Sequence, residues 1–156
     1  MITRRQYRVN VCSIAILAIA WLATTGVSAG DYVPFPGKIE VNLVRVESAK
    51  DVVVSFETWP GFARETTIEL PGIAIPTDSA RADTCERDMA AKSRAFTQQF
   101  VSEAKMIYVQ DMRMETSADT TVFADIMSDQ GSLIRALQAK GLARPESVPA
   151  KTSWCK

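Results

Sequence analysis

Histidine is absent from the 156 residues of this chain. Its absence excludes Ser-His-Asp and Cys-His nucleophile arrangements, imidazole acid–base chemistry near neutral pH, and zinc or haem sites with histidine ligands. An excess of one charge is also lacking, because 18 Lys and Arg residues balance 18 Asp and Glu residues. This balance argues against a protein that coats nucleic acid. Any chemistry would have to come from carboxylates, Lys, Arg, hydroxyl groups or cysteine.

Long apolar runs are lacking as well, apart from one close to the N-terminus. Three arginines precede an apolar run over residues 11–23, and small residues at 27–29 form a signal peptidase site before Gly30. A membrane span needs about 20 apolar residues, which is more than this run supplies. The pattern therefore favours a cleaved signal peptide over residues 1–29. The alternative is an uncleaved anchor that holds the protein at the inner membrane, facing the periplasm.

Cysteine is scarce, and two of the three cysteines lie after the predicted signal peptide. Without residues 1–29 the chain keeps Cys85 and Cys155, and it carries 15 basic against 18 acidic residues, a net charge of −3. An even pair of cysteines in an exported chain favours a disulfide. Two free thiols are the alternative. We expect an exported, periplasmic protein whose C-terminal tail is tied to its middle.

Residues 30–156 are predicted to form one domain with the element order βββ-α-ββ-α, which is an α+β domain with mainly β structure. Alternating and β-branched segments predict the strands, and an Asp-x-x-Glu spacing predicts the start of the first helix. The predicted strands are 39–46, 52–56, 66–73, 105–112 and 122–127, and the predicted second helix is 131–140, ended by Gly141. The first helix starts at Asp83-x-x-Glu86 and is expected to turn inward the side chains of Cys85, Met89, Lys92, Phe96 and Phe100. Residues 142–156 are expected to be irregular.

Several strings in this order resemble the thermonuclease-like (staphylococcal-nuclease-like) family. The string TIELPGIAIP at 67–76 is similar to the family's V-R-L-x-G-I-D-x-P-E segment, and ALQAKGLAR at 136–144 is similar to its L-L-x-x-G-L-A-R ending. The turn WPG at 59–61 and the string SWC at 153–155 look like those of exported bacterial members. The resemblance covers almost all of residues 30–156. It implies a five-stranded OB-type barrel with helices packed on it.

The resemblance also implies where a calcium-dependent phosphodiesterase site would lie. In the family, two carboxylates hold calcium, a glutamate activates water and two arginines stabilise charge on the phosphate. The calcium ligands fall on Lys50 and Ala74, the general base on Thr77, and the arginines on Glu69 and Thr121. All five positions are substituted, and two of them reverse their charge. We therefore expect no useful nuclease catalysis, no bound metal and no cofactor.

A different alignment of the first turn keeps residual nuclease activity as an alternative. If that turn is one residue longer, Asp51 occupies the calcium position, and Asp78 follows Pro76 as a second carboxylate. Neither arginine has a replacement in this alignment. The alternative function is then a weak calcium-dependent phosphodiesterase.

Two further groups of side chains have the composition of a metal site without its spacing. We expect the acidic group to lie in a solvated loop and at a strand edge, and the methionines to fill the core and the barrel edge. The acidic group is Asp111, Glu115, Asp119 and Asp125, and the methionines are Met106, Met112, Met114 and Met127.

Trp59 and Phe62 lie in the connection between the second and third predicted strands. They either fold back onto the barrel or form an exposed aromatic patch that docks a partner or a membrane surface. The favoured function is an exported, catalytically inactive domain that acts as a binding or structural module for an unidentified protein partner. Nucleic acid is not expected as a partner, and membrane contact is expected only if the N-terminal segment is retained. In that second case the domain would be an accessory subunit of an inner-membrane complex.

Overall fold

The structure, a computed structural model, describes residues 32–115, 121–149 and 152–155. The predicted signal segment at 1–29 and the predicted solvated carboxylate of Asp119 lie outside the described residues, and so does the side chain of Glu115. No helix in the described ranges combines the length and the apolar character needed to cross a bilayer.

Within the described residues, five long strands and two helices make up most of the fold, together with three strands of two residues each. The elements are β1 (Tyr32–Val46), β2 (Asp51–Trp59), β3 (Phe62–Glu69), β4 (Ile73–Ala74), α1 (Thr84–Ser102), β5 (Ile107–Glu115), β6 (Thr121–Ser128), β7 (Gly131–Ser132), α2 (Leu133–Ala139) and β8 (Arg144–Pro145). The main sheet has the order β3-β2-β1-β5-β6-β7, and a parallel pairing of β3 with β6 closes it. The predicted α+β, mainly β fold with an OB-type barrel is confirmed.

The barrel interior is filled by apolar side chains at alternate positions of the strands. In β6, for example, Val122, Ala124 and Ile126 are buried while the residues between them are half-buried on the outer face. Alternation of this kind is what a strand with one buried face requires. The inner and outer faces of β6 are therefore set by its own sequence.

The inner face of α1 differs from the prediction. Of the predicted inward residues only Phe100 is fully buried, whereas Cys85 and Lys92 are exposed. The buried stripe also contains Ser93 and Thr97, whose hydroxyl groups donate to backbone carbonyls of the barrel and the C-terminal segment. Small polar residues that are satisfied in this way pack as closely as apolar ones, so an apolar pattern alone underestimates the buried face.

The predicted start of α1 and end of α2 agree with the structure, whereas α2 begins at Leu133 instead of residue 131 because Gly131 and Ser132 form β7. Asp83 caps α1, because its carboxylate accepts from the Glu86 N–H at 2.7 Å. Ser132 caps α2 by accepting from the Arg135 N–H at 3.1 Å. Gly141 follows α2 with φ +69°, the left-handed conformation that commonly ends a helix.

The remaining differences between the prediction and the structure concern the residues at which strands begin and end. β2 and β3 extend to Trp59 and Phe62, so the predicted connection between them is a tight turn of two residues, Pro60 and Gly61. The predicted third strand ends at Glu69, and a turn separates it from β4. The C-terminal segment, predicted to be irregular, contains β8, which pairs with β4. Two-residue strands leave no periodic signal in a sequence.

Candidate functional site

Lys50 and Glu69, the two positions at which the resemblance predicts a reversed charge, form an ion pair with each other. Lys50 ends the turn between β1 and β2, and Glu69 ends β3 directly opposite Asp51 in the β2–β3 register. The Leu70 N–H donates to the Lys50 carbonyl at 2.9 Å, which holds the two segments together. Lys50 Nζ donates to Glu69 Oε1, and the two side chains are 29% and 26% exposed. Each charge is thus neutralised by its neighbour in a partly buried position.

The turn that carries Lys50 is fixed by hydroxyl groups from two sides. Ser48 Oγ accepts from the N–H groups of Lys50 and Asp51, each at 3.1 Å, and donates to Asp51 Oδ2 at 2.6 Å. Thr97 of α1, which is fully buried, donates its hydroxyl to the Ala49 carbonyl at 2.8 Å. These bonds satisfy the backbone of the turn. The backbone from which the Lys50 side chain extends is therefore held in one place.

The three remaining family positions lie on different elements. Thr121 is opposite Thr67 in the parallel β3–β6 pairing, two residues before the Glu69–Phe123 pair. Ala74 lies in β4, and Thr77 lies in the loop before α1, where its N–H donates to Glu86 Oε1 at 3.1 Å. None of these three side chains carries a charge, so neither a calcium ligand of the family type nor a phosphate-binding arginine is present at them.

A cavity of about 640 Å³ lies between the β1–β2 turn, the loop after β4 and α1. Asp51, Thr77 and Asp78 line it, together with alanines of α1, and Lys50 and Glu69 are not among its lining residues. The Asp51 carboxylate there accepts the Ser48 hydroxyl. The carboxylates of the alternative alignment thus share a cavity with Arg87 and Arg94 of α1, whereas Glu69 and Thr121, the predicted arginine positions, do not line it.

A metal-binding cluster does not occur at these carboxylates. Across the described ranges, the one group with three potential metal-binding atoms within 4.8 Å of one another is Asp83, Cys85 and Cys155. Both sulfur atoms of this group form a disulfide, and the Asp83 carboxylate caps α1. The group therefore serves structure, and it does not have the deprotonated thiolates that a metal requires.

A second cavity, of about 500 Å³, lies on the outer face of β5 and β6 and is lined by Glu69, Asp111 and Asp125 among others. Asp111 has φ +52° at a bulge of β5, and its Oδ1 accepts from the Gly37 N–H at 3.0 Å. This bond, helped by the Gln110 amide, lowers the pKa of Asp111 below its ordinary value. Asp111 thus joins the bulges of β1 and β5.

Asp125 also acts as a structural acceptor. Its carboxylate accepts the Ser132 hydroxyl and, at 3.3 Å, the Ile134 N–H at the start of α2. A carboxylate at a helix N-terminus is favourable because it satisfies backbone N–H groups and complements the helix dipole. The two described carboxylates of the predicted acidic group are therefore used within the fold.

The four methionines lie at different depths. Met112 is buried at 7% exposure, Met127 is half-buried on the outer face of β6, and Met106 and Met114 are 53% and 41% exposed. Met112 fills the core as expected, whereas Met106 and Met114 lie at the surface of the barrel.

Cys85 and Cys155 are joined in a disulfide with a Cα–Cα distance of 6.4 Å. The bond connects the first turn of α1 to the C-terminal segment. In that segment the Arg144 guanidinium lies 4.0 Å from the centre of the Trp154 ring and donates to the Thr152 carbonyl at 2.7 Å. A disulfide that persists is typical of an oxidising compartment outside the cytosol.

Trp59 and Phe62 form the tip of the β2–β3 hairpin. They are paired in register across the Pro60-Gly61 turn, and their side chains are 73% and 72% exposed. The alternative in which they fold back onto the barrel is therefore wrong. Whether they contact a partner stays a prediction.

Thr97 and Ser93 were not predicted as important residues. Thr97 supports the turn of Lys50, and Ser93 Oγ donates to the Leu142 carbonyl at 2.9 Å. The available signal is their spacing, since residues four apart lie on the same side of a helix as Phe100 and Val101.

No protein-family model matches the chain, and no curated protein matches it.

Proposed function

We propose that this protein is an exported, catalytically inactive relative of the thermonuclease-like family that acts as a binding or structural module. The ion pair between Lys50 and Glu69 carries the proposal. In the family arrangement, the first position would bind calcium and the second would bind phosphate. An ammonium group repels a calcium ion, and a carboxylate repels a phosphodiester. The charge needed to bind calcium and the charge needed to bind phosphate are thus both reversed.

The pairing also explains how the barrel tolerates the two reversals. A single charge left partly buried without a partner is destabilising, whereas two opposite charges in contact compensate each other. Lys50 and Glu69 therefore stabilise this end of the barrel without a metal ion or an anionic ligand. A scaffold that keeps its stability without substrate or metal suits a role in binding or structure.

Export is the second part of the proposal. The Cys85–Cys155 disulfide supports an oxidising location, and the predicted signal peptide supports export to the periplasm. The mass of the natively purified protein tests this part. A chain that begins at Gly30 supports a cleaved signal peptide, whereas an intact N-terminus makes the protein an anchored accessory subunit.

A hydrolysis assay tests the absence of catalysis. The exported protein is incubated with single-stranded DNA, duplex DNA and RNA over a calcium titration, and we expect no turnover. In the same samples, millimolar calcium should not raise the Tm, because a site with Lys50 has no binding energy to add to folding.

Matched variants separate true activity from a contaminating nuclease. Lys50→Ala and Glu69→Ala remove the ion pair, and Lys92→Ala removes a lysine from the exposed face of α1. If the protein hydrolyses nucleic acid and only the first two variants lose that activity, the proposal is wrong. Activity that is equal in all variants belongs to a contaminant.

A further inference from the structure

The end of the β2–β3 hairpin projects from the barrel as a two-stranded ribbon. β2 pairs with β1 no further than Ser55, and β3 pairs with β6 only from Thr67 onward. Among the residues that the structure describes, 56–64 therefore pair only with each other, Glu65 pairs with Ser55, and every residue from 57 to 65 is exposed. Phe56 packs against the core at the base of this ribbon, and beyond it both faces of residues 57–65 are exposed.

The apex of the ribbon is apolar. Trp59 and Phe62 are the two most exposed large hydrophobic side chains of the described residues, at 73% and 72%. Between them are Pro60 and Gly61, and Gly61 has φ +81°, a conformation that glycine adopts without strain. Residues 58–62 contain no charge. A tight turn thus places two exposed aromatic residues opposite each other in the β2–β3 register.

The size of the apolar tip limits what can cover it. A fully buried aromatic side chain contributes about 150–250 Å², so two rings with these exposures offer roughly 200–360 Å². A stable protein interface needs about 800 Å² from each partner. The apolar surface does not continue along the ribbon, because the exposed residues behind the tip include Glu57, Arg64 and Glu65. That area includes polar surface, so a second copy of the chain or a folded protein would have to cover the charged part of the ribbon as well as the tip.

A lipid bilayer has no such requirement, because it deforms around an inserted side chain. Tryptophan favours the interface between headgroups and acyl chains, where an apolar ring and a polar N–H are both accommodated. We propose that Trp59 and Phe62 insert into the interfacial region of a phospholipid bilayer while the charged residues of the ribbon stay in water. The inference adds a ligand to the proposed binding role and rests on it.

Charge determines which lipid chemistry fits. Glu57, Arg64 and Glu65 give the ribbon a mixed charge, and residues 30–156 carry a net charge of −3. Attraction to anionic lipids requires clustered Lys and Arg, which the ribbon does not have. Insertion is therefore driven by the two aromatic rings and occurs on zwitterionic phospholipid. Two rings bury less apolar surface than an acyl chain, so the binding is reversible.

Fluorescence quenching tests the insertion directly. The protein is purified in its native exported form with Trp21→Phe and Trp154→Phe, which leaves Trp59 as the one tryptophan. Vesicles of phosphatidylcholine brominated on the acyl chains should shift its emission to shorter wavelength and quench it. A matched protein keeps Trp154 and carries Trp21→Phe and Trp59→Phe. Trp154 is half-buried against Arg144 and should be neither shifted nor quenched.

A second substitution tests the role of Phe62. Phe62→Ala in the Trp59 protein should raise the lipid concentration for half-maximal quenching by about tenfold or more, because roughly 100 Å² of apolar surface leaves the bilayer. Met106→Ala, at another exposed apolar residue, should change it less than twofold. Replacing part of the phosphatidylcholine with anionic phosphatidylglycerol should not strengthen binding.

Several results would overturn the inference. They are an unchanged Trp59 emission with vesicles, equal quenching of Trp59 and Trp154, and no effect of Phe62→Ala. A shift of the Trp59 emission that occurs without lipid and grows with protein concentration would indicate that the tip contacts a second copy of the chain. If the Trp59 emission responds to lipid-free periplasmic protein but not to vesicles, the tip binds a protein partner. Quenching and hydrolysis are separate measurements, so failure here leaves the proposed lack of catalysis to be judged by its own assay.

Discussion

Lys50 Nζ and Glu69 Oε1 are joined by a hydrogen-bonded ion pair that links the β1–β2 turn to the end of β3. The two residues are 19 positions apart in the sequence. Their backbones are held in place independently by the Leu70–Lys50 hydrogen bond and by the Asp51–Glu69 register. The backbone at both residues therefore stays in place when one side chain is removed. The interaction free energy of the ion pair can then be measured with substitutions.

Removing either partner of this pair should destabilise the protein. We expect Lys50→Ala and Glu69→Ala each to lower the free energy of unfolding by about 1–2 kcal/mol, because the remaining charge is about three-quarters buried. Urea denaturation of both variants and of the double variant gives the coupling free energy between the two side chains, which we expect to be about 1 kcal/mol. The exposed pair Arg45–Glu47 is the control and should couple by under about 0.5 kcal/mol. Equal coupling of the two pairs would contradict a special role for Lys50 and Glu69.

Substitutions of Thr97 test the hydrogen bond that connects α1 to the turn between β1 and β2. Thr97→Val keeps the shape of the side chain but leaves the Ala49 carbonyl without its buried donor, so we expect a loss of about 1–3 kcal/mol of stability. Thr97→Ser keeps the hydroxyl group and loses a methyl group, which should cost about 1 kcal/mol. Both values come from urea denaturation. If Val is tolerated better than Ser, the hydrogen bond is not the stabilising contact.

The disulfide should account for a large share of the stability. It closes a loop of 70 residues, for which the loop-entropy model gives about 4 kcal/mol. Cys85→Ala with Cys155→Ala should lower the Tm strongly, and non-reducing peptide mapping should find the Cys85–Cys155 linkage in the exported protein. Two thiols that react with an alkylating agent before reduction would refute the linkage.

Asp111 should make stability depend on acid pH. Its folded pKa is lowered, above all by the Gly37 N–H, so its contribution is present above the ordinary aspartate pKa of about 3.9 and is lost as pH falls through the lower, folded value. An NMR titration should place the carboxyl pKa below the ordinary value.

Two substitutions separate the charge of Asp111 from its backbone conformation. Asp111→Asn removes the charge and tolerates φ +52°, so its Tm should fall less steeply with acid than that of the unmodified protein. Asp111→Ala should have a lower Tm than Asp111→Asn at pH 7, because alanine is disfavoured at positive φ and offers no acceptor to the Gly37 N–H. Equal Tm values for the two variants would indicate that the backbone conformation relaxes.

Local sequence signals predicted the elements that depend on local chemistry. Asp83 and Gly141 mark helix ends because capping involves groups within a few residues of each other. The β-branched run at 52–54 predicted a buried strand correctly. The length of the β2–β3 ribbon was not predictable, because the exposed residues 57–65 have no apolar alternation. Its strands depend on pairing with each other.

For the candidate site, the sequence by itself determined that position 50 carries a positive charge and position 69 a negative one. That these charges are opposite to those of a nuclease site is what the resemblance implies. The sequence also determined the balance of charge, the lack of histidine and the pattern of buried strands, because these follow from composition and local spacing. Only the tertiary structure decided that the two charges meet and that Trp59 and Phe62 face water. Both outcomes depend on the register between β2 and β3, and register is set by pairing between segments that are distant in the sequence.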